Sequence, residues 1–358
     1  MKIGIIGAGQ LGQMLGFAAR KLGAECRFVD PSDSPPAADC GEVIQRPFDD
    51  AEALAELAAT CDVITYEFEN VPVEALHKIE GKVPVFPPAD ALRHSQDRLD
   101  EKRLFDLLDI PLPGYRKIDS REDIDAAIAD LGTPLVIKTR RLGYDGKGQF
   151  VVRRQEDADA AWKALGASAL IAEQWVNFDY EVSAIGTRNV DGDIVIYPLS
   201  RNVHQDGILR TSRSPVDAPE LAERAETYVR RLLGHLNYVG TLALELFVCG
   251  EDLLANEFAP RVHNSGHWSI EGAVTSQFEN HIRAITNQSL GSTESVGHAG
   301  MVNLIGEIPD SVRSLQTGIL HDYGKEPRPG RKLGHITVTA DSAARRDALI
   351  DIITRSVN

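Results

Sequence analysis

Two acidic residues, Glu245 and Glu257, lie in apolar segments predicted to form neighbouring strands, 241–248 and 253–258. Each lies six residues from Glu251, near the centre of the intervening turn. An antiparallel hairpin would therefore place them opposite each other, where like charges are destabilising. A Mg²⁺ ion held by these carboxylates would remove the conflict, with Asn256 as a further oxygen ligand. The alternative is a pair of solvated carboxylates at a sheet edge.

A polar segment, residues 259–268, follows this hairpin directly. Within seven residues it carries five hydrogen-bonding side chains, Arg261, His263, Asn264, Ser265 and His267. Beside a metal site, such a segment is typical of an active-site loop. Arg261 is suited to stabilising charge on a transferring phosphoryl group. Capping and loop hydrogen bonds are the structural alternative.

A second candidate is the glycine-rich loop 143–148, which joins two predicted strands, 135–138 and 149–152. It lacks the spacing of a P-loop. Its three glycines and the cations Arg140, Arg141 and Lys147 suit a loop that covers a polyphosphate. Lys138, at the end of the preceding strand, is placed to reach an α-phosphate. The alternative is an exposed hairpin with solvated basic residues.

The N-terminal Gly7-x-Gly9-x-x-Gly12, with Asp30 downstream, matches the dinucleotide-binding fingerprint. Three interpretations stay open: an NAD site, a glycine turn needed for packing, or a turn that presents another phosphorylated ligand. Near the C-terminus a basic cluster lies in a Gly/Pro-rich stretch and suits a substrate phosphate or a solvated turn. Its members are Lys325, Arg328, Arg331 and Lys332.

Alternating strands and helices in residues 1–96 predict a parallel α/β sheet. Residues 97–177, with the glycine-rich loop and a strand at 170–176, predict a small second unit. Residues 178–358 are strand-rich and carry the acidic hairpin, an α+β pattern. We therefore expect three units with these boundaries.

The 358 residues are 25% charged and 43% hydrophobic, which is typical of a globular chain. A net charge of −15 argues against binding to nucleic acid. We find neither an apolar run long enough to span a bilayer nor a signal-peptide pattern. The four cysteines lack metal-ligand spacing, so we expect reduced packing residues in a cytoplasmic protein.

Longer motifs resemble the N5-carboxyaminoimidazole ribonucleotide synthetase family of the ATP-grasp superfamily, over nearly the whole chain. The similar segments are 7–15, 65–70, Asp97-Arg98-Leu99-x-x-Lys102-x-x-Phe105, 143–149, 204–212, 256–267 and 323–335. The resemblance implies an ATP-grasp fold with a Rossmann-like N-terminal domain and a small mobile lid. One departure is Lys147, where many relatives carry Arg, which puts a bidentate contact in doubt.

The resemblance also implies roles for individual residues. Catalytic roles fall to Tyr144, Lys147, Arg261 and His267, and metal binding to Glu245 and Glu257. ATP contacts fall to Arg98, Lys138, Gly143, Tyr144, Asp145, Gly146, Lys147, Gly148, Gln149, Glu173, Gln174, Trp175, Val176, Glu181, His204, Asn256 and Glu257. Substrate contacts fall to Gln10, Leu11, Glu67, Lys325 and Arg331.

The implied activity is ATP-dependent carboxylation of aminoimidazole ribonucleotide with bicarbonate, through carboxyphosphate. ATP and one or two Mg²⁺ ions, which Mn²⁺ can replace, are the implied cofactors, and a homodimer is expected. Another ATP-grasp ligase, of the glycinamide ribonucleotide transformylase or biotin carboxylase type, is a close rival that segments 204–212 and 325–335 disfavour. An NAD-dependent dehydrogenase and a non-catalytic nucleotide-binding protein are the more distant alternatives.

Overall fold

The computed structural model describes residues 1–143 and 147–357. It opens with a four-stranded parallel sheet in the order β3-β2-β1-β4, which confirms the predicted α/β start. The strands are β1 (Lys2–Ile6), β2 (Glu25–Val29), β3 (Gly41–Ile44) and β4 (Val63–Tyr66). The helices between and after these strands are α1 (Gln10–Lys21), α2 (Ala51–Thr60), α3 (Val73–His77), α4 (Ala89–Ser95) and α5 (Arg98–Leu107), with a 3-10 turn at Pro36–Cys40.

A second, antiparallel sheet has the strand order β5-β8-β6-β7 and packs against two helices. Its strand β8 ends at Gln174, so the predicted strand at 170–176 is two residues too long. The elements are β5 (Tyr115–Ile118), α6 (Arg121–Leu131), β6 (Leu135–Thr139), β7 (Gln149–Val152), α7 (Ala158–Leu165) and β8 (Leu170–Gln174), with a 3-10 turn at Gln155–Asp157.

The largest sheet has nine strands in the order β14-β13-β9-β11-β12-β15-β17-β16, with β10 paired to β9. Its strands are β9 (Tyr180–Arg188), β10 (Ile194–Ile196), β11 (Ser200–Gln205), β12 (Ile208–Ser214), β13 (Gly240–Cys249), β14 (Asp252–Ala259), β15 (His298–Ile305), β16 (Ile319–Asp322) and β17 (Lys332–Ala340). Its helices are α8 (Pro219–His235), α9 (Ser269–Gly272), α10 (Gln277–Ile285), α11 (Asp310–Arg313) and α12 (Ala343–Val357), with a 3-10 turn at Asn264–Gly266.

The acidic hairpin is packed against other elements of the fold on both sides. Helix α8 presents Leu221, Ala225, Val229 and Leu232 at helical spacing, and these residues pack on β9 and β13. Helix α5 packs against the outer side of β14. The hairpin β13–β14 is therefore held between a central strand on one side and a helix on the other.

Two further observations bear on the expected organisation. The boundary proposed at residue 96 falls between α4 and α5, and the one at 177 falls between β8 and β9. The division into three units stays a proposal. Within residues 1–143 and 147–357, the helices are too short or too polar for any of them to cross a membrane.

Candidate active site

The hairpin β13–β14 places Glu245 directly opposite Glu257, as predicted. The turn is Gly250–Glu251, between the paired residues Cys249 and Asp252, so an unbroken ladder would pair Glu245 with Asn256 instead. The register shifts by one residue between Glu245 and Leu246. Asn256 and Glu257 therefore both face one position of β13, which is the geometry of a β-bulge.

Burial and mutual repulsion perturb the two carboxylates. Burial, and then the charge of Glu257, raises the pKa of Glu245 to about 7. Burial would likewise raise the pKa of Glu257, but Arg98 keeps it below its ordinary value. Arg98 Nη1 lies 2.9 Å from Glu257 Oε2, and His263 Nε2 lies 3.1 Å from Glu245 Oε1. A cation between the two carboxylates would relieve the repulsion.

His263 lies between Glu245 and Ser265 in this arrangement. Burial, Arg261 and Lys332 lower the pKa of His263 well below its ordinary value, so the ring is neutral at pH 7. Its Nδ1 accepts from the backbone N–H of Ser265 at 3.3 Å. Its Nδ1 also lies 2.8 Å from Ser265 Oγ, while its Nε2 lies 3.1 Å from Glu245 Oε1.

The donor set at the hairpin fits a hard divalent cation that is also bound by phosphate. The chain offers two carboxylates and the Asn256 amide, and Mg²⁺ typically uses one or two carboxylates plus substrate phosphates. Among residues 1–143 and 147–357, no group of three or more His, Cys, Asp or Glu side chains is placed to hold a metal by itself. The nucleotide would have to complete the coordination.

The second sheet contributes a buried charge cluster within electrostatic reach of Glu257. Lys138 Nζ on β6 donates to Glu173 Oε2 on β8 at 2.7 Å. Burial opposes the charge of Glu173, but Lys102 and Lys138 lower its pKa to about 2. Lys138, predicted to contact phosphate, is therefore paired with Glu173 in this structure. Lysines engage the Oε2 atom of Glu173, whereas its buried Oε1 has no hydrogen-bond partner among the described residues.

The described part of the glycine-rich loop differs from the prediction in one respect. Arg140 and Arg141 both bond to Asp97, at 2.6 and 3.2 Å, so they brace the start of α5 and do not cover a phosphate in this conformation. Gly148 has φ of +72°, and a Cβ there would approach Thr139 Oγ1 to 2.6 Å. Lys147 and Gln149 are exposed. Tyr144, Asp145 and Gly146 lie outside the described residues.

The segment between the two antiparallel sheets contains the residues predicted to line the adenine edge. Gln174 and Trp175 are exposed and Val176 is half-buried. On the other side, Glu181 on β9 and His204 on β11 form a short hydrogen bond. Burial opposes the charge of His204, but Glu181, followed by Glu245, raises its pKa. The Glu181–His204 pair therefore lies within electrostatic reach of the acidic hairpin.

Arg261 lies where this cleft meets the N-terminal domain. Its Nε donates to Glu69 Oε2 in a short hydrogen bond. Burial opposes its charge, but Glu69, Glu67 and Glu245 together raise its pKa. Glu69 and Arg98 line the same cleft as Arg261, Glu245 and Glu257. Arg261 is thus close to both the acidic hairpin and the glycine turn of the first domain.

The glycine turn of the first domain is occupied by a side chain of the protein. Glu67 accepts from the backbone N–H groups of Gly9 and Gly12, at 2.5 and 2.6 Å. Asp30 accepts from the N–H groups of Ala8 and Ser32, at 2.8 and 2.9 Å. In an NAD site these groups would bind pyrophosphate and ribose. Because they are satisfied within the protein, the geometry disfavours the dehydrogenase interpretation.

The C-terminal basic cluster lies against this turn. Lys325 Nζ forms a short hydrogen bond with Gln10 Oε1. Burial, followed by the charge of Arg331, lowers the pKa of Lys325 to about 8. Arg331 Nη1 bonds to the carbonyl of Glu326 at 3.1 Å. Leu11 is 7% exposed and packs in the core, so only its backbone is available to a substrate.

His267 was predicted to be catalytic, but it does not line the described cleft. It is 1% exposed and is absent from the described cleft lining. Its ring packs on Phe278 and His335, with centroids 5.4 and 4.8 Å away. Burial lowers its pKa far below the ordinary value. A direct catalytic role is therefore inconsistent with this position, which is that of a packed core histidine.

Sequence reasoning missed several residues of the cleft. The sequence pattern predicted no partner for Glu69, which bonds to Arg261, or for His263, which lies beside Glu245. It also did not indicate that Glu101 lines the cleft. Glu69 falls in a motif that marked the resemblance, but its partner is distant in sequence. The described lining residues are Glu69, Asn70, Ser95, Gln96, Arg98, Glu101, Arg140, Leu142, Gly143, Glu245, Glu257, Phe258, Ala259, Pro260, Arg261 and His263.

A carboxylate pair on a hairpin of one antiparallel sheet, within electrostatic reach of a lysine on a second antiparallel sheet, is the arrangement of an ATP-grasp protein. Family models agree: an ATP-grasp domain matches residues 103–278 and a ribonucleotide synthetase preATP-grasp domain matches residues 1–96. A phosphoribosylaminoimidazole carboxylase C-terminal domain matches residues 299–348.

Relatives that match the whole chain indicate one family among the ATP-grasp proteins. The N5-carboxyaminoimidazole ribonucleotide synthase of Pseudomonas aeruginosa is 47% identical over 98% of both chains. The crystal structure of the Thermus thermophilus synthetase has a TM-score of 0.95 and 48% identity, covering 99% of this chain and 98% of that one. That of the Aspergillus clavatus synthase, in complex with ADP and 5-aminoimidazole ribonucleotide, has a TM-score of 0.92 at 30% identity, covering 99% and 98%. The chain therefore belongs to the N5-carboxyaminoimidazole ribonucleotide synthase family, and is an ATP-grasp ligase.

Proposed function

We propose that this protein carboxylates 5-aminoimidazole ribonucleotide with bicarbonate, at the expense of ATP, in de novo purine biosynthesis. The products are N5-carboxyaminoimidazole ribonucleotide, ADP and phosphate. The observation that carries the proposal is the opposed pair Glu245 and Glu257, with Glu257 within electrostatic reach of Lys138, which is bonded to Glu173. The family members named above supply the substrate identity.

ATP would lie between the two antiparallel sheets. Lys138 and Arg98 are cations on opposite sides of the cleft, suited to the phosphates. Gly143, Gly148 and Gln149, with the loop residues Tyr144 to Lys147, would cover them. Gln174, Trp175 and Val176 would border the adenine, and Glu181 with His204 the ribose.

Glu245, Glu257 and Asn256 would hold Mg²⁺, as one or two ions, with Mn²⁺ as a substitute. The ion would neutralise charge on the transferring phosphoryl group. The perturbed pKa of Glu245, about 7, supports this assignment because a cation would favour its ionised form. Metal binding should therefore release a proton near neutral pH.

The ribonucleotide would occupy the side of the cleft toward the first domain. Lys325 and Arg331 would bind its 5′-phosphate, and Gln10, the backbone of Leu11 and Glu67 would contact the rest. Arg261, between this side and the acidic hairpin, would stabilise the carboxyphosphate formed from bicarbonate. Closure over the site would limit attack by water on that intermediate.

ADP formation measured with and without the ribonucleotide tests the function directly. We expect ADP release that requires Mg²⁺ and bicarbonate and rises strongly when aminoimidazole ribonucleotide is added. Stimulation by glycinamide ribonucleotide or biotin instead would favour another ATP-grasp ligase. Tight NADH binding without ATP binding would restore the dehydrogenase interpretation.

A cytoplasmic homodimer is the remaining part of the proposal. The family resemblance supports the dimer, and the free cysteines Cys26, Cys40, Cys61 and Cys249 support a reducing compartment. Light scattering on the purified protein should give twice the chain mass of 39.1 kDa. A concentration-independent mass equal to one chain would contradict the dimer.

A further inference from the structure

The bulged strand β14 lies at the end of its sheet, and no strand among the described residues pairs with its outer edge. Side chains and backbone of the segment 97–111 bond to that edge instead. The Ala255 N–H donates to the Pro111 carbonyl at 2.7 Å, and the Phe258 N–H donates to Glu101 Oε1 at 2.8 Å. Lys102 Nζ donates to the Asn256 carbonyl in a short hydrogen bond. The bulge is therefore held from outside the sheet.

The three α5 residues involved lie on one helical face. Arg98, Glu101 and Lys102 are spaced i, i+3 and i+4, which places their side chains together. Arg98 bonds to the carboxylate of Glu257. Glu101 and Lys102 bond to the backbone on either side of it, at Phe258 and Asn256. One helical turn thus fixes both the side chain and the backbone of a single hairpin residue.

Lys102 also reaches the opposite side of the nucleotide cleft. Its Nζ lies 4.0 Å from Glu173 Oε2, the same oxygen that accepts from Lys138 at 2.7 Å. Lys102 is 1% exposed and Glu101 is 2% exposed. Burying ionisable side chains this completely is costly unless they are paired or hydrogen-bonded. Their contacts join the acidic hairpin to the lysine cluster of the second sheet.

We propose that Glu101 and Lys102 are positioning residues for the metal site. They hold the bulge of β14 so that Asn256 and Glu257 both face Glu245, and they set the hairpin relative to Glu173 and Lys138. Without the bulge, the ladder set by the Gly250–Glu251 turn would place Asn256 in the position of Glu257. The inference rests on the proposed function, because it concerns the carboxylates assigned there to Mg²⁺.

Three substitutions separate positioning from general stability. Glu101→Met removes the acceptor for the Phe258 N–H, whereas the nearly isosteric Glu101→Gln retains one. Lys102→Met keeps the apolar stem and removes the ammonium. We expect Glu101→Met and Lys102→Met to weaken divalent-metal binding about 10–100-fold, as loss of supporting contacts around metal ligands does. Glu101→Gln should stay within about threefold of the parent protein, since it preserves that contact.

The measurement is Mn²⁺ binding in the presence of ADP, followed by the electron paramagnetic resonance signal of free Mn²⁺. The half-saturating Mg²⁺ concentration for ADP formation and the KM for the ribonucleotide are measured in parallel. Loss of folded protein would lower kcat without changing the metal dissociation constant. Leu104→Val, a core change on the same helix, is the control for a loosened α5.

The outcomes distinguish the inference from the proposed function. Weakened Mn²⁺ binding in Glu101→Met and Lys102→Met, with the KM for the ribonucleotide unchanged, supports the inference. Parent-like binding in both, while Glu257→Gln loses Mn²⁺, overturns it and leaves the function standing. A parent protein without Mg²⁺-dependent ADP formation overturns the function. If Lys102→Met does not fold, Lys102→Gln replaces it, with the same weakening expected because it also lacks the ammonium.

Discussion

The charged side chains of the cleft bond to one another in this structure. Arg98 holds Glu257, Lys138 holds Glu173, and Arg261 holds Glu69. These pairs keep buried charges compensated before any ligand arrives. Binding of a triphosphate and a cation would therefore exchange partners: Arg98 and Lys138 would turn toward phosphate, and Glu257 toward the metal. Under the proposed function, each pair therefore holds a charged group close to the ligand that it would bind.

Glu257→Gln should abolish ADP formation and leave the fold intact. The amide keeps the shape of the side chain but loses the charge that binds the cation and pairs with Arg98. We expect a loss of about 100-fold or more in kcat, comparable to removal of one key electrostatic contact. ADP release and circular dichroism are the measurements. Glu251→Gln, in the exposed turn of the same hairpin, is the control, and near-normal turnover of Glu257→Gln would refute the metal assignment.

Lys325→Ala should raise the KM for the ribonucleotide far more than the KM for ATP. Lys325 lies beside the turn of the first domain, away from Lys138 and the second sheet, so its charge should serve only one substrate. Steady-state kinetics with each substrate varied in turn gives both constants. An unchanged KM for the ribonucleotide would remove Lys325 from the site.

The same residue predicts a pH dependence. Because the pKa of Lys325 is lowered to about 8, it is cationic below that pH and neutral above it. We expect kcat/KM for the ribonucleotide to fall as the pH rises through about 8, since this parameter reports groups of the free enzyme. Lys325→Arg remains charged and should remove this alkaline limb. A limb that persists in Lys325→Arg would assign it to another group.

At the scale of elements, the pairing of Glu245 with Glu257 depends on two features of the hairpin, its turn and its bulge. The turn at Gly250–Glu251 alone would put Asn256 opposite Glu245, and the bulge restores Glu257 to that place. Helix α5 covers the bulged edge and connects it to β8 through Lys102 and Glu173. The acidic hairpin and the lysine cluster of the second sheet are thus joined by one helix.

Gly148→Ala should impair ATP binding through the loop that follows β6. The residue has a φ of +72°, and its new Cβ would approach Thr139 Oγ1 to 2.6 Å, so the turn must shift. We expect a KM for ATP raised several-fold with the KM for the ribonucleotide unchanged. Gly192→Ala, with a φ of +94° in the β9–β10 turn, carries similar strain and is the control. Equal effects of both variants on ATP would indicate general destabilisation.

At the scale of the whole molecule, a bound nucleotide would contact two sheets at once. Lys138 belongs to the four-stranded antiparallel sheet, whereas Glu257 belongs to the nine-stranded sheet. Helix α5 links the two sheets: Lys102 contacts Glu173 of the four-stranded sheet and the Asn256 carbonyl of the nine-stranded sheet, and Arg98 bonds to Glu257. A ligand that bridges the cleft therefore adds to an existing interface.

Saturating Mg-ATP should raise the thermal unfolding midpoint by a few degrees. A ligand that binds only the folded state, at about 100 times its Kd, stabilises by about 2.7 kcal/mol. Differential scanning fluorimetry measures the shift. We expect Mg²⁺ to increase the shift caused by ATP in the parent protein and not in Glu257→Gln. An equal Mg²⁺ effect in both proteins would mean that the metal is held by phosphate without this carboxylate.

Much of the fold was predictable from local patterns. Alternating strands and helices gave the parallel sheet, and β7 was predicted at its observed bounds, Gln149–Val152. The acidic hairpin was found because two carboxylates interrupt apolar strands symmetrically about a turn. The symmetry argument placed the turn centre at Glu251, whereas the centre lies between Gly250 and Glu251. The predicted pairing of Glu245 with Glu257 nevertheless holds, because the bulge shifts the register by one residue.

The amino-acid sequence by itself determined the strands, the glycine turns and the acidic residues of the hairpin, because these depend on periodicity and neighbours in the chain. Only the tertiary structure decided that Glu67 occupies the first helix terminus, that His267 is buried, and that Lys102 holds the bulge. Each of these depends on burial or on a partner dozens to hundreds of residues away. Such contacts form only when separate elements pack, so no local pattern encodes them.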